Sequence, residues 1–536
     1  MKKRTILAAT AGAAMLTSGA LAVPYASQIK TPTAVFESGS TISYVLNMPA
    51  TSVTIRIFSD GQNPSVDTPV ASFAGTTAAG VNTVVWDGTN NNSGGTHLPI
   101  GSNYFATVQV VGATAAGWAE FASNRSVGNF GPTATLNTIF NGFSGNDVYI
   151  NKNEESDQFG VVAATSSYGT PLHRAVILFN SDLSITGGDD GLASRVLRHA
   201  RVDSLLPAQG TNQATWGIGP DPDDVNRIWI SGQDPAGVGY APTNTEFQAN
   251  QQSHCILTAA NADGWFDQTL STADANSLIA ALMYPRTIAV ARHAAGKFAY
   301  VTRGNGGLSR VPIDNNNQIT GPAIESTSNT WNNVLAITAT RYSKAVQFDN
   351  DGNLYWVSRD VTPAITTTGD GGRLYRWNAA DVEASASGNT FGALTDANAA
   401  WVVQLPAGAL RALDVAIDPT NGDVYVLNGV GTPRGVWRIA NKSTASLGTD
   451  ASPHIPASGD LVIDLTTIGT GWTMSTFGAG MDFDKFGNLY LVDRSGEQVR
   501  GFTQGGASNL TVSAPASQAF NIVGSASARP MWHLYE

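Results

Sequence analysis

Seven cations recur at two kinds of place along this chain. Arg286, Arg341, Lys344 and Arg411 each precede one short apolar strand pattern, and Arg303, Arg359 and Arg494 each follow the next. Guanidinium forks match the geometry of carboxylates and sulfates, so cations gathered at one place would grip an acidic glycan or an acidic protein surface. Asp360, Asp414 and Asp493 are their sequence neighbours, and ion pairing between adjacent units is the alternative use of the same side chains. Other chemistry is sparse. There is no Gly-x-Ser-x-Gly elbow, no His-Glu-x-x-His pair and no phosphate-binding loop. The seven histidines (His97, His173, His199, His254, His293, His454 and His533) are scattered without ligand spacing. Cys255 is the single cysteine; it sits in an alternating run without an activating neighbour and reads as a buried structural thiol.

Composition narrows the classes further. Of 536 residues only 13% are charged, against about 25% in an average globular chain, and the net charge is -11. A phosphate backbone needs a dense basic footprint, so nucleic acid is not an expected partner. A hydrophobic content of 42% is too high for disorder. The length suggests two or three domains.

Lys2, Lys3 and Arg4 head an apolar run from Thr5 to Leu21, closed by the small residues around Ala20-Leu21-Ala22. That is the pattern of a cleaved signal peptide over 1–22, interrupted too often to be a permanent span. Its removal takes the net charge from -11 to -14 and leaves an exported, secreted, periplasmic or surface chain with no membrane span. One cysteine makes no internal disulfide, so such a chain stands on its core alone.

Two modules follow. Over 36–112, short runs such as Val53 to Phe58 and Phe105 to Val111 alternate with period two between turns, which predicts a small β-sandwich. Residues 113–132 are rich in Gly and Ala and read as a linker. Over 133–525 a unit of strand, Asp-and-Gly turn, strand recurs with starts at 148, 216, 288, 346, 415 and 481. Val346-Gln347-Phe348-Asp349, Val415-Ala416-Ile417-Asp418 and Met481-Asp482-Phe483-Asp484 open the clearest copies. Third strands such as Leu374 to Trp377, Val436 to Ile439 and Val499 to Phe502 complete the unit. Six such units predict a six-bladed β-propeller, so the chain is expected to be all-β. The aspartates after the inner strands read as turn formers whose carboxylates cap backbone N–H groups. Thr133 to Phe140 and Phe520 to Val523 compete as the strand that closes the ring, and 526–536 form an unusually aromatic tail, fit to dock as a strand.

Gly80-Val81-Asn82 through Trp86-Asp87-Gly88, an Asn/Gly loop, then Leu98-Pro99-Ile100-Gly101 to Tyr104 resemble the immunoglobulin-like domain of flagellar hook-cap proteins. The resemblance implies that Trp86 fills the inter-sheet core and that the module spaces or docks. Leu489-Tyr490-Leu491-Val492-Asp493 through Gln498-Val499-Arg500-Gly501-Phe502 resembles the NHL-repeat and gluconolactonase-like six-bladed propellers. Enzymes of the latter kind hold a divalent metal in the central channel. The resemblance therefore implies a possible calcium at Asp147, Asp414 and Asp482, without a clear counterpart of the family's first Glu ligand.

Two functions are thus open: a non-catalytic binding or scaffold protein, or a secreted metal-dependent hydrolase or lyase. Sequencing the mature amino terminus is expected to give Val23 first; recovery of an intact Met1 end from the exported fraction overturns the export reading.

Overall fold

Six sheets surround one axis, each opening with one copy of the repeat. The computed structural model describes residues 24–36, 39–91, 95–113, 117–123, 145–166, 176–184, 196–197, 214–223, 228–233, 253–254, 256–257, 278–279, 285–303, 307–313, 335–336, 342–359, 372–386, 394–409, 411–429, 431–439, 447–467, 479–493, 498–505 and 509–523. The signal-peptide region, Cys255, Thr133 to Phe140 and the tail 526–536 lie outside the described residues.

Blade one pairs Gly145–Ile150, Val162–Ser166, Val176–Phe179 and Val196–Leu197 from the axis outward. Blade two has Ala214–Pro220 and Ile228–Gln233 inside, with short strands at Ser253–His254, Ile256–Leu257 and Leu278–Ile279. Blade three is Pro285–His293, Gly296–Arg303 and Gly307–Ile313. Blade four is Tyr342–Phe348, Leu354–Arg359, Arg373–Trp377 and Trp401–Gln404, with the helix Ala379–Ala386 between its last two strands. Blade five is Ala412–Ile417, Val424–Asn428, Gly435–Ile439 and Leu461–Asp464. Among the described residues no helix is long and apolar enough to cross a membrane.

Apolar side chains of neighbouring inner and second strands pack blade against blade. Ala416, Tyr425 and Leu427 of blade five meet Met481, Phe483 and Leu491 of blade six in one buried cluster. The turn aspartates cap backbone as the sequence predicts. Asp349 Oδ1 accepts the N–H groups of Asp351 at 3.0 Å and Asn353 at 2.9 Å, and Asp418 and Asp484 repeat the device.

Blade six shows where the linear reading fails. Met481–Phe483, Leu489–Asp493 and Gln498–Gln504 are completed by Trp118–Ser123, from the stretch read as linker. The ladder bulges between Gly501 and Phe502 to admit Phe121. A Cβ on Gly501 would sit 2.5 Å from the Phe121 ring, so only glycine fits there. Arg500 grips Glu120 with a two-pronged ion pair across the same joint. Phe520–Val523 closes no propeller.

The C-terminal strands return to the sandwich instead. One of its sheets is Ala26–Lys30, Ser40–Leu46 and Gly80–Trp86. The other runs Ala34–Phe36, Phe520–Val523, Asn103–Val111, Ser52–Ser59, Ala71–Ala74, and Asn509–Ser513 also pairs with Asn103–Val111. The sandwich therefore extends beyond 36–112 at both ends. Trp86 is fully buried between the sheets, its ring 5.7 Å from Phe73 and 5.8 Å from Phe520. Asp87 Oδ1 accepts the Thr89 N–H at 3.0 Å, and Gly88, at φ +80°, completes the turn.

The two modules also share a core. Tyr25 of the sandwich packs against Phe159 of blade one at 5.8 Å and Phe486 of blade six at 4.8 Å. Gln28 donates to Asn180 at 3.1 Å, and Ser517 donates to Asp157 at 2.6 Å. Beneath Tyr25, burial pushes the Asp484 carboxyl up to about 7. All these contacts fall at the end of the propeller where the inner strands finish.

Because segments from both ends of the described chain, Tyr25 to Gln28 and Ser517 to Gln518, join this contact with the propeller, the modules should unfold together. Trp86→Ala is expected to cost about 3–5 kcal/mol, as loss of a core aromatic does. Calorimetry should show one transition moved to lower temperature; an unmoved propeller transition beside a lost sandwich transition would refute the shared core.

Candidate functional site: the axial channel

An inner strand is the edge strand of its blade, so its axis-facing N–H groups have no strand partner. Side chains from the preceding blade supply acceptors. Asp147 takes the N–H of Val148 on one carboxylate oxygen at 2.9 Å and that of Ile218, in blade two, on the other at 3.0 Å. Asp414 accepts from Met481 of blade six at 2.6 Å. Asp482 accepts from its neighbour Phe483 at 2.9 Å and from Ile150 of blade one at 3.1 Å. Thr287 does the same with its hydroxyl, accepting from Val346 of blade four at 3.1 Å. In every case the acceptor binds the N–H one position further along the next inner strand, by the pairing registers of the six blades.

Asp147, Thr287 and Asp414 occupy one level, beside the bulge that opens each inner strand. Gly217 holds that level in blade two and Gly480 in blade six, where the carboxylate has moved two residues on, to Asp482. Lys152 Nζ lies 2.5 Å from Asp482 and brings a cation to the channel. Burial, then the charge of Asp414, pushes Asp147 well above the ordinary carboxylate range. Burial also raises Asp482, and the Lys152 ammonium pulls it back down.

These residues border a cavity of about 370 Å³ that reaches from the carboxylate level to the hairpins ending the inner strands. Six aspartates (147, 349, 351, 414, 418 and 482) face it, with Lys152 as the one cation among the residues that line it. Gln347 adds a buried side-chain oxygen without a hydrogen-bond partner. Such a lining accepts hydrogen bonds from ammonium or hydroxyl donors and repels anions.

The three channel aspartates implied as calcium ligands do not fit that ion. Their oxygens are turned to strand N–H groups and to Lys152, and no group of three acidic, His or Cys residues is placed to hold a metal among the described residues. The sequence signal was real, but it marks the staples between blades. Thr287 was missed although it occupies the same repeat position as Asp147. Lys152 was missed although the last copy of the repeat carries a lysine, Lys485, at the same position.

The cations map to the opposite end, where inner strands start and second strands finish. Arg303 pairs with Pro285, next to Arg286, and Arg359 pairs with Tyr342, two residues from Lys344. Their backbones thus share one end of blades three and four. Arg341 and Arg494 lie outside the described residues. Arg411 corrects the expectation: it is only 7% exposed, its N–H held by Asn428 at 3.1 Å, so the start of blade five is buried and offers no surface cation. His293 is equally structural, set between Glu383 at 2.9 Å and Tyr300 at 2.8 Å.

No protein-family model and no curated protein matches the chain. Solved structures do resemble it. A structural-genomics protein of unknown function from Bacteroides thetaiotaomicron is 11% identical, with 90% of this chain and 98% of that one covered at a TM-score of 0.33. The calcium structure of Trichoderma reesei Carbohydrate-Active Enzymes Family AA12 is 15% identical, covering 73% and 96% at 0.36. The holo PQQ domain of pyranose dehydrogenase from Coprinopsis cinerea is 12% identical, covering 67% and 93% at 0.36. At these scores the likeness adds nothing to the blades seen directly.

Lys152→Met tests the channel's electrostatics. The folded-state pKa of Asp482 is raised, so its contribution to stability is complete below the ordinary carboxylate range and fades as pH rises through the raised value. Removing the ammonium raises that value further and enlarges the loss. The variant is expected to lose at most about 3–5 kcal/mol at pH 8, because Lys152 keeps 28% exposure. It should lose distinctly less at pH 5, and urea titrations at both values check the difference.

Proposed function

We propose that the chain is an exported, non-catalytic binding protein whose propeller engages an acidic glycan or an acidic protein surface. The sandwich, of the hook-cap immunoglobulin-like kind, serves as its rigid mount. The observation that carries this reading is the polarity of the propeller. Its hairpin end holds the sandwich contacts and the part of the acidic cavity lined by Asp349, Asp351 and Asp418. Its strand-start end carries Arg286, Arg303, Lys344 and Arg359 on adjoining strand ends, with Arg341 and Arg494 next to those places in sequence. An anionic partner is repelled from the first and drawn to the second. The channel carboxylates are engaged in holding blades together, which supports binding over metal-dependent hydrolysis.

Binding to an immobilised sulfated or uronic-acid polysaccharide is expected to weaken as salt rises, since exposed charges are screened beyond about 8 Å at physiological ionic strength. A folded variant combining Arg286→Ala, Arg303→Ala and Arg359→Ala should bind at least tenfold more weakly. Equal binding by that variant would end the proposal.

A further inference from the structure

The joint between sandwich and propeller buries two carboxylates. Asp484, in the first turn of blade six, is 1% exposed, and Asp182, just beyond Val176–Phe179 of blade one, is 2% exposed. Asp484 and Tyr490 stand next to the Tyr25 hydroxyl of the sandwich. Asp182 lies so close to Gly80 that a Cβ there would sit 2.8 Å from its Oδ2. In the same joint Ser27 and Ser181 share a hydrogen bond of 3.0 Å, and Tyr490 donates to the Ser181 carbonyl at 2.7 Å.

Neutral groups meet both acids. Asp484 accepts the N–H groups of Phe486 and Asn488, each at 2.9 Å, and the Asn488 side-chain amide at 2.7 Å. Asp182 accepts the Ser184 N–H at 3.1 Å and its hydroxyl at 2.6 Å. The cations around the joint, Lys152 and Lys485, are paired with Asp482 and Glu154. Blades three, four and five pair a second-strand tyrosine with an arginine: Tyr300 with Arg310, Tyr355 with Arg376 and Tyr425 with Arg438. In blade six the residue paired with Tyr490 is Gly501, kept small by the Phe121 ring of the closing strand. An ionised carboxylate in such a place has no opposite charge to offset its lost hydration. Burial therefore pushes Asp484 up to about 7 and raises Asp182 as well.

We propose that the joint is a proton-dependent latch, tight in mild acid and loosened in alkali as Asp182 and Asp484 ionise against the sandwich. The other titratable groups facing the pair are Tyr25 from the sandwich, Tyr490 from blade six, Lys152 from blade one and Asp418 of blade five, which abuts Gly487 in the Asp484 turn. Burial raises both tyrosines above their ordinary value, so they stay protonated. A raised carboxyl contributes its full stability below the ordinary carboxylate range and loses it as pH rises through the folded value. The latch accordingly weakens from about pH 4 to about 7 and stays weak above that.

Hydrogen exchange on the full-length chain tests this. With each amide's intrinsic rate divided out, opening of Ala26–Lys30 is expected to rise at least tenfold from pH 5 to pH 8, with Ser52–Ser59 changing less than twofold. A variant combining Asp182→Asn and Asp484→Asn should show no such rise. If that variant does not fold, Asp182→Asn alone is expected to reduce the rise at least twofold. Equal protection of Ala26–Lys30 in the parent at both pH values overturns the proposal. So does a rise that persists in full in a folded Asn variant.

Discussion

The ring is held shut by a strand that reaches it from the wrong end of the chain. Trp118–Ser123 pairs with Gln498–Gln504 across 380 residues at Arg500 and Glu120, and six units of repeat have to be closed at that seam. An open propeller leaves an unpaired strand at each end of the ring. The closing strand follows Asn103–Val111 by six residues, so the sandwich is tethered against blade six. Tyr25, Phe159 and Phe486 then fuse the two bodies into one core. From this seam follow the burial of the sandwich's first strand, the return of the C-terminal strands and the occupied hairpin end of the propeller.

The repeat was legible because each copy is local. Two alternating runs with an Asp-and-Gly turn between them need only about 20 neighbouring residues, and all six starts fall in inner strands. Trp86 was legible for the same reason, framed by its own turn. The closing strand was not. Trp-Ala-Glu-Phe-Ala-Ser is six residues long, it bulges at Phe121, and its partner is remote, so nothing local separates it from a linker. Asn509–Ser513 and Phe520–Val523 show ordinary alternation that says strand without saying whose. Periodicity reveals that a segment pairs; only packing reveals with what.

The site divides along similar lines. Asp147, Asp414 and Asp482 were singled out for a place beside the inner strands, and they stand there because edge N–H groups demand acceptors. A carboxylate that receives two strand N–H groups is a structural fastener even where it lines a cavity. The sequence could not separate fastening from ligation, because both want an acid at the same position. Arg411 failed for another reason. Residues before inner strands were all taken as rim positions, yet blade five packs its strand start beneath the segment around Asn428 and Gly429.

The clasp between the two ends of the chain has a consequence for how the molecule comes into being. Thr31 and Gln518 meet across 487 residues, a sequence separation close to the whole length of the chain. High contact order delays folding, since loop-closure entropy is lost before the closing contacts form. A nascent chain emerging amino terminus first can pair Ala26–Lys30 with Ser40–Leu46 at once, yet its other sheet stays unfinished until residues 509–523 exist. Blade six waits equally long for Gln498–Gln504. The closing contacts of both bodies therefore cannot form until residues 498–523 have been made, which ties the completion of the sandwich and of blade six to the same late stretch.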